Sequence, residues 1–245
     1  MCGRYQLRVT WNRLAALYRI VDHPEPEGLR LPLARLPRWS VAPTQTIPGV
    51  RFADGSRTLT PMRWGFPMTW LARQGKDPWS RPLINAKSEE AAKKRTWSRP
   101  LKERRCIVPA TAFYEWVRKG KERYPVVFRP RNGELLHLGA VWQRFQKDGE
   151  DVDCVSILTT AASKRVSQVH HRMPVLFTAD SDIDAWLSPE QPLADLTALM
   201  QPADDDALSL SAANRRLNHW SAEGDDLLEA DWDPTDLDLD LDLDP

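Results

Sequence analysis

The sequence predicts a mixed α+β fold: one domain, strand-rich in the middle and helical at its edges. Three observations predict it. Short β-like runs, each bounded by Pro, Gly, Asn or Asp, fill the stretch from about residue 40 to residue 161. Segments with apolar residues at helical spacing lie before and after that stretch. No internal repeat and no linker interrupts the 245-residue chain before about residue 222. The expected organisation is one domain over 1–222, followed by an acidic, low-complexity tail over 223–245 that is expected to be disordered.

The elements follow in order. "WNRLAALYRI" (11–20) reads as an amphipathic helix, and the proline-rich "VDHPEPEGLRLPLARLP" (21–37) as a loop. The strand candidates are "SVAPTQTIPGVRF", "TLTPMRWGF", "RCIVPATAFYEWV", "YPVVFRP", "LLHLGAVWQRF" and "DCVSILTTAA". Two hairpins are expected, one turning at Lys119-Gly120-Lys121 and one at Asn132-Gly133. Helices are expected at "KSEEAAKKR" (87–95), "DSDIDAWL" (180–187) and "PLADLTALM" (192–200). The tail ends in "DLDLDLDLDP", where like charges along one face have nothing to pair with, which argues against an isolated strand.

Composition narrows the function. With 42% hydrophobic and 28% charged residues the body should be globular, and no apolar run reaches the length of a membrane span. The N-terminus has no signal-peptide character. The three cysteines, Cys2, Cys106 and Cys154, are odd in number and lack CxxC spacing, so free thiols in a reducing cytoplasmic compartment fit best. The formal net charge of zero conceals a division. Residues 1–200 carry 32 Lys and Arg against 20 Asp and Glu, while residues 201–245 carry two against 14. A basic body suits a polyanion such as nucleic acid, or is an ordinary solvated surface.

Four stretches could carry chemistry. In "MCGRYQ", loss of Met1 would leave Cys2 as a terminal 1,2-aminothiol. Its amine condenses with an aldehyde to a Schiff base, and its thiol then closes a five-membered thiazolidine; alternatively, a cysteine simply happens to stand second. In "RPLINAKSEEAAKKR", Asn85 enters a helix from an apolar strand, which suits a cap, or an amide that orients a substrate oxygen beside the cationic Lys87. In "RRCIVPATAFYEWVRKG", Glu115 is enclosed by aromatics. Strand alternation puts it on the face of Phe113, opposite Tyr114 and Trp116, so it faces either solvent or an apolar site that would raise its pKa. In "SQVHHRMPVLF", His170 stands near Arg172, an acid/base group beside a phosphate-binding cation. A zinc site assembled from Cys2, Cys106, Cys154 and His170 is disfavoured by spacing, and no cofactor or metal is expected.

Taken in order, "MCGRY", "WSVAPTQ", "MRWGF", "INAKSE", "CIVPATAFYEW" and "HHRMP" resemble the SRAP (SOS response-associated peptidase) family, from Cys2 to about Leu217. The resemblance implies a single α/β domain around a curved, barrel-like, mainly antiparallel sheet. It implies covalent capture of abasic sites in single-stranded DNA, through a thiazolidine at Cys2, in the DNA damage response. Asn85 then matches a residue that holds the opened sugar and Cys2, Glu115 one beside the Cys2 amine, and His170 the acid/base of ring opening. Arg4, Lys87 and Arg172 match phosphate-binding positions, and Trp70 an aromatic that stacks on bases. Lys87 departs from the usual arginine and loses its bidentate fork; Ser40 and Trp39 stand where asparagine and tyrosine are common. The partners implied are abasic single-stranded DNA, with nucleoid association when bound, and a further partner for the tail is left open; a monomer without membrane contact is expected. The family name leaves open self-removal of Met1.

Two rivals remain from the sequence. A cysteine autopeptidase or N-terminal-nucleophile hydrolase would use Cys2 and Glu115 on an amide. A non-catalytic single-strand binding module would need neither.

Overall fold

A computed structural model describes residues 2–20, 36–133 and 135–242. Most of the loop expected over 21–37 lies outside them.

The strand-rich middle closes on itself. β3 (Thr46–Ala53) and β4 (Ser56–Trp64) form a hairpin, as do β9 (Leu136–Lys147) and β10 (Glu150–Ala161). β6 (Arg105–Ala110) pairs with β3 on one side and β9 on the other, and β10 returns to β4 as a parallel neighbour. The cycle β10–β4–β3–β6–β9–β10 is a five-stranded barrel. Both of its hairpins turn on Asp-Gly pairs with positive φ, Asp54 (52°) with Gly55 (79°) and Asp148 (54°) with Gly149 (84°). These are the left-handed turns that match strand twist.

A second sheet lies against the barrel. It has the order β13 (Leu208–Ala212), β8 (Glu122–Pro130), β7 (Ala112–Lys119), β1 (Tyr5–Leu7), β2 (Arg38–Val41). The β7–β8 hairpin turns at Gly120 as expected, with Lys119 opposite Glu122. The hairpin expected at Asn132-Gly133 does not form. β8 pairs with β7 and β13, and β9 belongs to the barrel. The chain changes sheets at that turn, because in the barrel β9 pairs on both edges, with β6 and with β10.

Alternation along β7 divides the core. Phe113 faces the barrel, stacked on its cross-strand partner Phe128 at 4.6 Å, while Tyr5 meets Trp64 of the barrel at 5.5 Å. Tyr114 faces the other way, into a smaller cluster with Val127, Ala213, Leu217 and Leu227. Helices α1 (Trp11–Leu17), α5 (Asp180–Leu187) and α6 (Leu193–Leu199) lie where periodicity placed them. The helix expected over 87–95 is instead two, α2 (Ser88–Ala91) and α3 (Arg95–Glu103), the second extending through Pro100. α4 (Lys164–Ser167) is a single turn after β10.

Residues 223–242 of the tail expected to be disordered lie along the body. Leu227 is fully buried, Leu241 nearly so, and the Trp232 indole N–H donates to the Ala213 carbonyl at 2.8 Å. Glu223 pairs with Arg38, Asp226 with Arg216, Asp231 with Arg215, and Asp242 with Arg131 and Arg165. The charges that repel within the segment find cations on the surface it crosses.

Candidate functional site

The site begins with two strand registers. β1 runs antiparallel to β7, with Tyr5 opposite Phe113 and the Tyr114 amide donating to the Arg4 carbonyl at 2.9 Å. Residues 2–4 therefore continue along the Glu115 end of β7. Separately, β5 (Asn85–Lys87) runs parallel to β10, with Asn85 opposite Ile157 and Lys87 opposite Thr159. The two meet where Asn85 Nδ2 donates to the Cys2 carbonyl at 2.9 Å. Asn85 Oδ1 is buried and accepts no hydrogen bond from the described residues.

Cys2 is fully buried. Burial, and then the nearby Glu115 carboxylate, push its thiol pKa up, so the sulfur is held as S–H. Glu115 is only 4% exposed, on the Phe113 face as alternation predicts, and burial raises its carboxyl pKa as well. A protonatable carboxyl next to a neutral thiol is a site for proton transfer rather than for a standing thiolate.

β11 (Arg172–Pro174) pairs with the end of β10, Arg172 opposite Ala161, and brings the third group in. The Arg172 amide donates to His170 Nδ1 at 3.0 Å. Nδ1 also lies 3.2 Å from the Arg172 carbonyl, but an amide hydrogen can only donate, so the neutral ring carries its proton on Nε2. Burial pushes the His170 pKa down to about 4, so the ring is neutral at physiological pH. His171 stacks on it at 4.4 Å, with its own side chain exposed.

The cations are arranged unequally. Lys87 is exposed at the end of β5. Arg172 is a bidentate partner of Glu89, at 2.7 and 2.9 Å, and also donates to the Thr159 carbonyl at 2.5 Å. Arg4 is 8% exposed; its Nη1 donates to Ser40 Oγ at 2.8 Å and to the carbonyls of Leu217 and His219 at 3.5 and 3.3 Å. These bonds tie the start of β1 to β2 and to the segment after β13. Trp70 is 53% exposed, in a 3-10 turn over Thr69–Gln74, within the loop that leads into β5. That loop is closed by the Phe66–Leu83 bridge.

Sequence reasoning did not single out Glu89 as the carboxylate that holds Arg172, nor Thr159. A Glu two residues after Lys87 was visible; its partner across the fold was not. Cys106 and Cys154 are buried apart from this site, in β6 and β10.

The sequence model of the family described as SOS response associated peptidase (SRAP) matches residues 1–220. The chain belongs to the SRAP family. Among its relatives, the abasic site processing protein YoqW of Bacillus subtilis is 28% identical, over 94% of this chain and 100% of its own. The abasic site processing protein HMCES of Gallus gallus is 30% identical, over 84% of this chain and 71% of its own. YedK of Escherichia coli, also named an abasic site processing protein, is 26% identical over 78% and 81%. A crystal structure of a protein from Bacteroides thetaiotaomicron superposes with a TM-score of 0.81 at 20% identity, covering 94% of this chain and all of that one. Among the described residues no helix is long and apolar enough to cross a membrane.

Proposed function

We propose that this SRAP protein captures abasic sites in single-stranded DNA by a covalent bond to Cys2. The observation that supports this most is the Asn85 hydrogen bond to the Cys2 carbonyl beside the buried Glu115. It fixes the main chain of the residue that would react, at a place where protons can be moved.

The chemistry needs no cofactor. Once Met1 has left, the Cys2 amine adds to the C1′ aldehyde of the ring-opened sugar. Loss of one water gives the imine. The Cys2 sulfur then adds to the imine carbon, its proton passes to the nitrogen, and the thiazolidine is closed. The neutral thiol suits this order, because the amine acts first and the sulfur attacks an electrophile already tethered to it. Glu115 accepts a proton from the incoming ammonium and returns it to the leaving hydroxyl. His170, with its proton on Nε2, donates to the sugar oxygen as the ring opens. Asn85 Oδ1 accepts from a sugar hydroxyl or from the freed amine. Lys87 and Arg172 hold flanking phosphates, Arg172 after exchange with Glu89, and Trp70 stacks on a base. Shielding the lesion in the DNA damage response follows from the stability of the ring.

An autopeptidase reading fits less well. A thiol held neutral by burial is a poor first nucleophile toward an amide.

Intact mass before and after incubation with an abasic single-stranded oligonucleotide is the test. The expected product lacks Met1 and weighs the sum of protein and oligonucleotide less one water. Cys2→Ala should give no denaturant-stable adduct yet retain reversible strand binding. An undiminished adduct from Cys2→Ala would overturn the mechanism.

A further inference from the structure

Residues 240–242 touch none of the reacting groups, yet they hold the helical turn from which His170 hangs. α4 has four residues, too few to be stable by its own hydrogen bonds. It is anchored from outside at three points. The Arg165 amide donates to Asp205 Oδ1 at 2.8 Å, and the Arg165 guanidinium pairs with Asp242. Gln168 is clamped in both directions: its Nε2 donates to the Asp240 carbonyl at 3.2 Å, and its Oε1 accepts from the Asp240 amide at 3.0 Å. Asp242 is in turn fixed by Arg131 at 2.8 Å and by the Leu210 amide at 2.7 Å, and Leu241 between them is buried. The His170 amide donates to Val166 O of the same turn at 3.0 Å.

We propose that residues 240–242 are a strap whose function is to position His170. Asp242 holds the start of α4 through Arg165, Asp240 holds its end through Gln168, and His170 follows two residues later. The strap spans from the edge of β13, which carries Leu210, to the loop carrying His170. The residues it uses are therefore positioning residues. The inference rests on the proposed role of His170 in proton transfer, and it extends the working site into the acidic segment.

The test uses the full chain with Gln168→Met, which keeps length and loses both hydrogen bonds, and Asp242→Asn, which keeps shape and loses the charge. Single-turnover adduct formation should slow by about tenfold in each, since small misplacements of a catalytic group are costly. Asp226→Asn, in the same segment but paired with Arg216, should leave the rate at saturating DNA unchanged. In a His170→Ala background neither strap variant should slow the reaction further, because the group it positions is gone. Equal losses in both backgrounds would mean a structural role only and would overturn the proposal, as would an unchanged rate. Hydrogen exchange of amides 164–171 gives a reading independent of activity, and Asp242→Asn should raise it. Unchanged protection there overturns the strap even if the protein captures no lesion; a parent protein that forms no adduct while the variant loosens 164–171 overturns the function and leaves the strap standing.

Discussion

Two titratable side chains, Glu115 buried and His170 half-buried, bear on stability in opposite senses. Burial raises the Glu115 carboxyl pKa, so above the ordinary carboxylate range of about 4.5 the folded protein holds a proton that the unfolded chain releases. Stability from this group is present below that pH and is lost as pH rises toward the folded pKa. Glu115→Gln should therefore melt at a higher temperature than the parent at pH 7, with the gap closing as pH falls to about 4.5, while adduct formation slows by about 10²–10⁴-fold. A variant that is less stable at pH 7 would contradict the burial argument. His170 acts in the other sense. Its pKa is pushed down to about 4, so between about pH 6.5 and 4 the unfolded chain takes up a proton that the folded ring refuses, and stability falls as pH drops through that window. His137, half-buried and 2.7 Å from the Tyr18 hydroxyl, is depressed to about 4 by the same cause and steepens the fall. A pH series of melting curves on the parent and on His170→Ala checks this: the variant should show the shallower slope. Glu89 offers a third residue-scale test. It holds the guanidinium of Arg172, the proposed phosphate ligand, and Arg172 itself pulls its pKa down. Glu89→Gln should bind undamaged single strands more tightly at low salt, and equal affinities at every salt concentration would remove Arg172 from the phosphate path.

At the scale of elements, the site depends on a loop neck. Gly65 has φ of 116°, and a Cβ there would lie 2.6 Å from Pro82 Cβ. Its amide donates to the Val155 carbonyl at 2.8 Å, next to the Phe66–Leu83 bridge that leads the chain into β5 and Asn85. Both the conformation and the close approach require glycine. Gly65→Ala should cost about 2–3 kcal/mol and should slow adduct formation by displacing Asn85; denaturant melts and single-turnover rates measure the two effects. The turn glycines differ from it. Gly55, Gly120 and Gly149 have positive φ but open space around them, so they serve the turns alone. Asp54-Gly55 and Asp148-Gly149 are as strong a hairpin signal as Asn132-Gly133, which forms none, because a turn sets the bend of the chain but not which strand waits on either side.

Over the whole molecule, the acidic segment changes what net charge means. Glu223, Asp226 and Asp231 occupy Arg38, Arg216 and Arg215, so part of the positive charge of the body is already compensated. Replacing all three acids by their amides should tighten binding to intact single strands at low salt. If the freed arginines reach the strand, the salt dependence should steepen by about 0.7 in log–log slope per phosphate gained. Superimposable salt titrations would confine the segment to packing and strapping.

What the sequence determined by itself was local. Strand and helix periods, the Gly120 turn and the alternation that puts Glu115 on the Phe113 face are properties of neighbouring residues, and they hold in the fold. The candidate site residues stood out as short patterns, because Cys2, Asn85, Glu115 and His170 each sit in a distinctive local context. Tertiary structure decided what those residues touch. That the Asn85 amide meets the Cys2 carbonyl 83 positions away, that Glu89 claims Arg172, and that Arg4 is turned inward toward Ser40 depend on the registers of β1 on β7 and of β5 and β11 on β10. The acidic segment shows the reason most plainly. Within its own stretch its charges only repel, and no local rule gives it a structure. Its order comes from arginines contributed by β2, the bend after β8, α4 and the turn after β13, and these become its neighbours only once the sheets have closed.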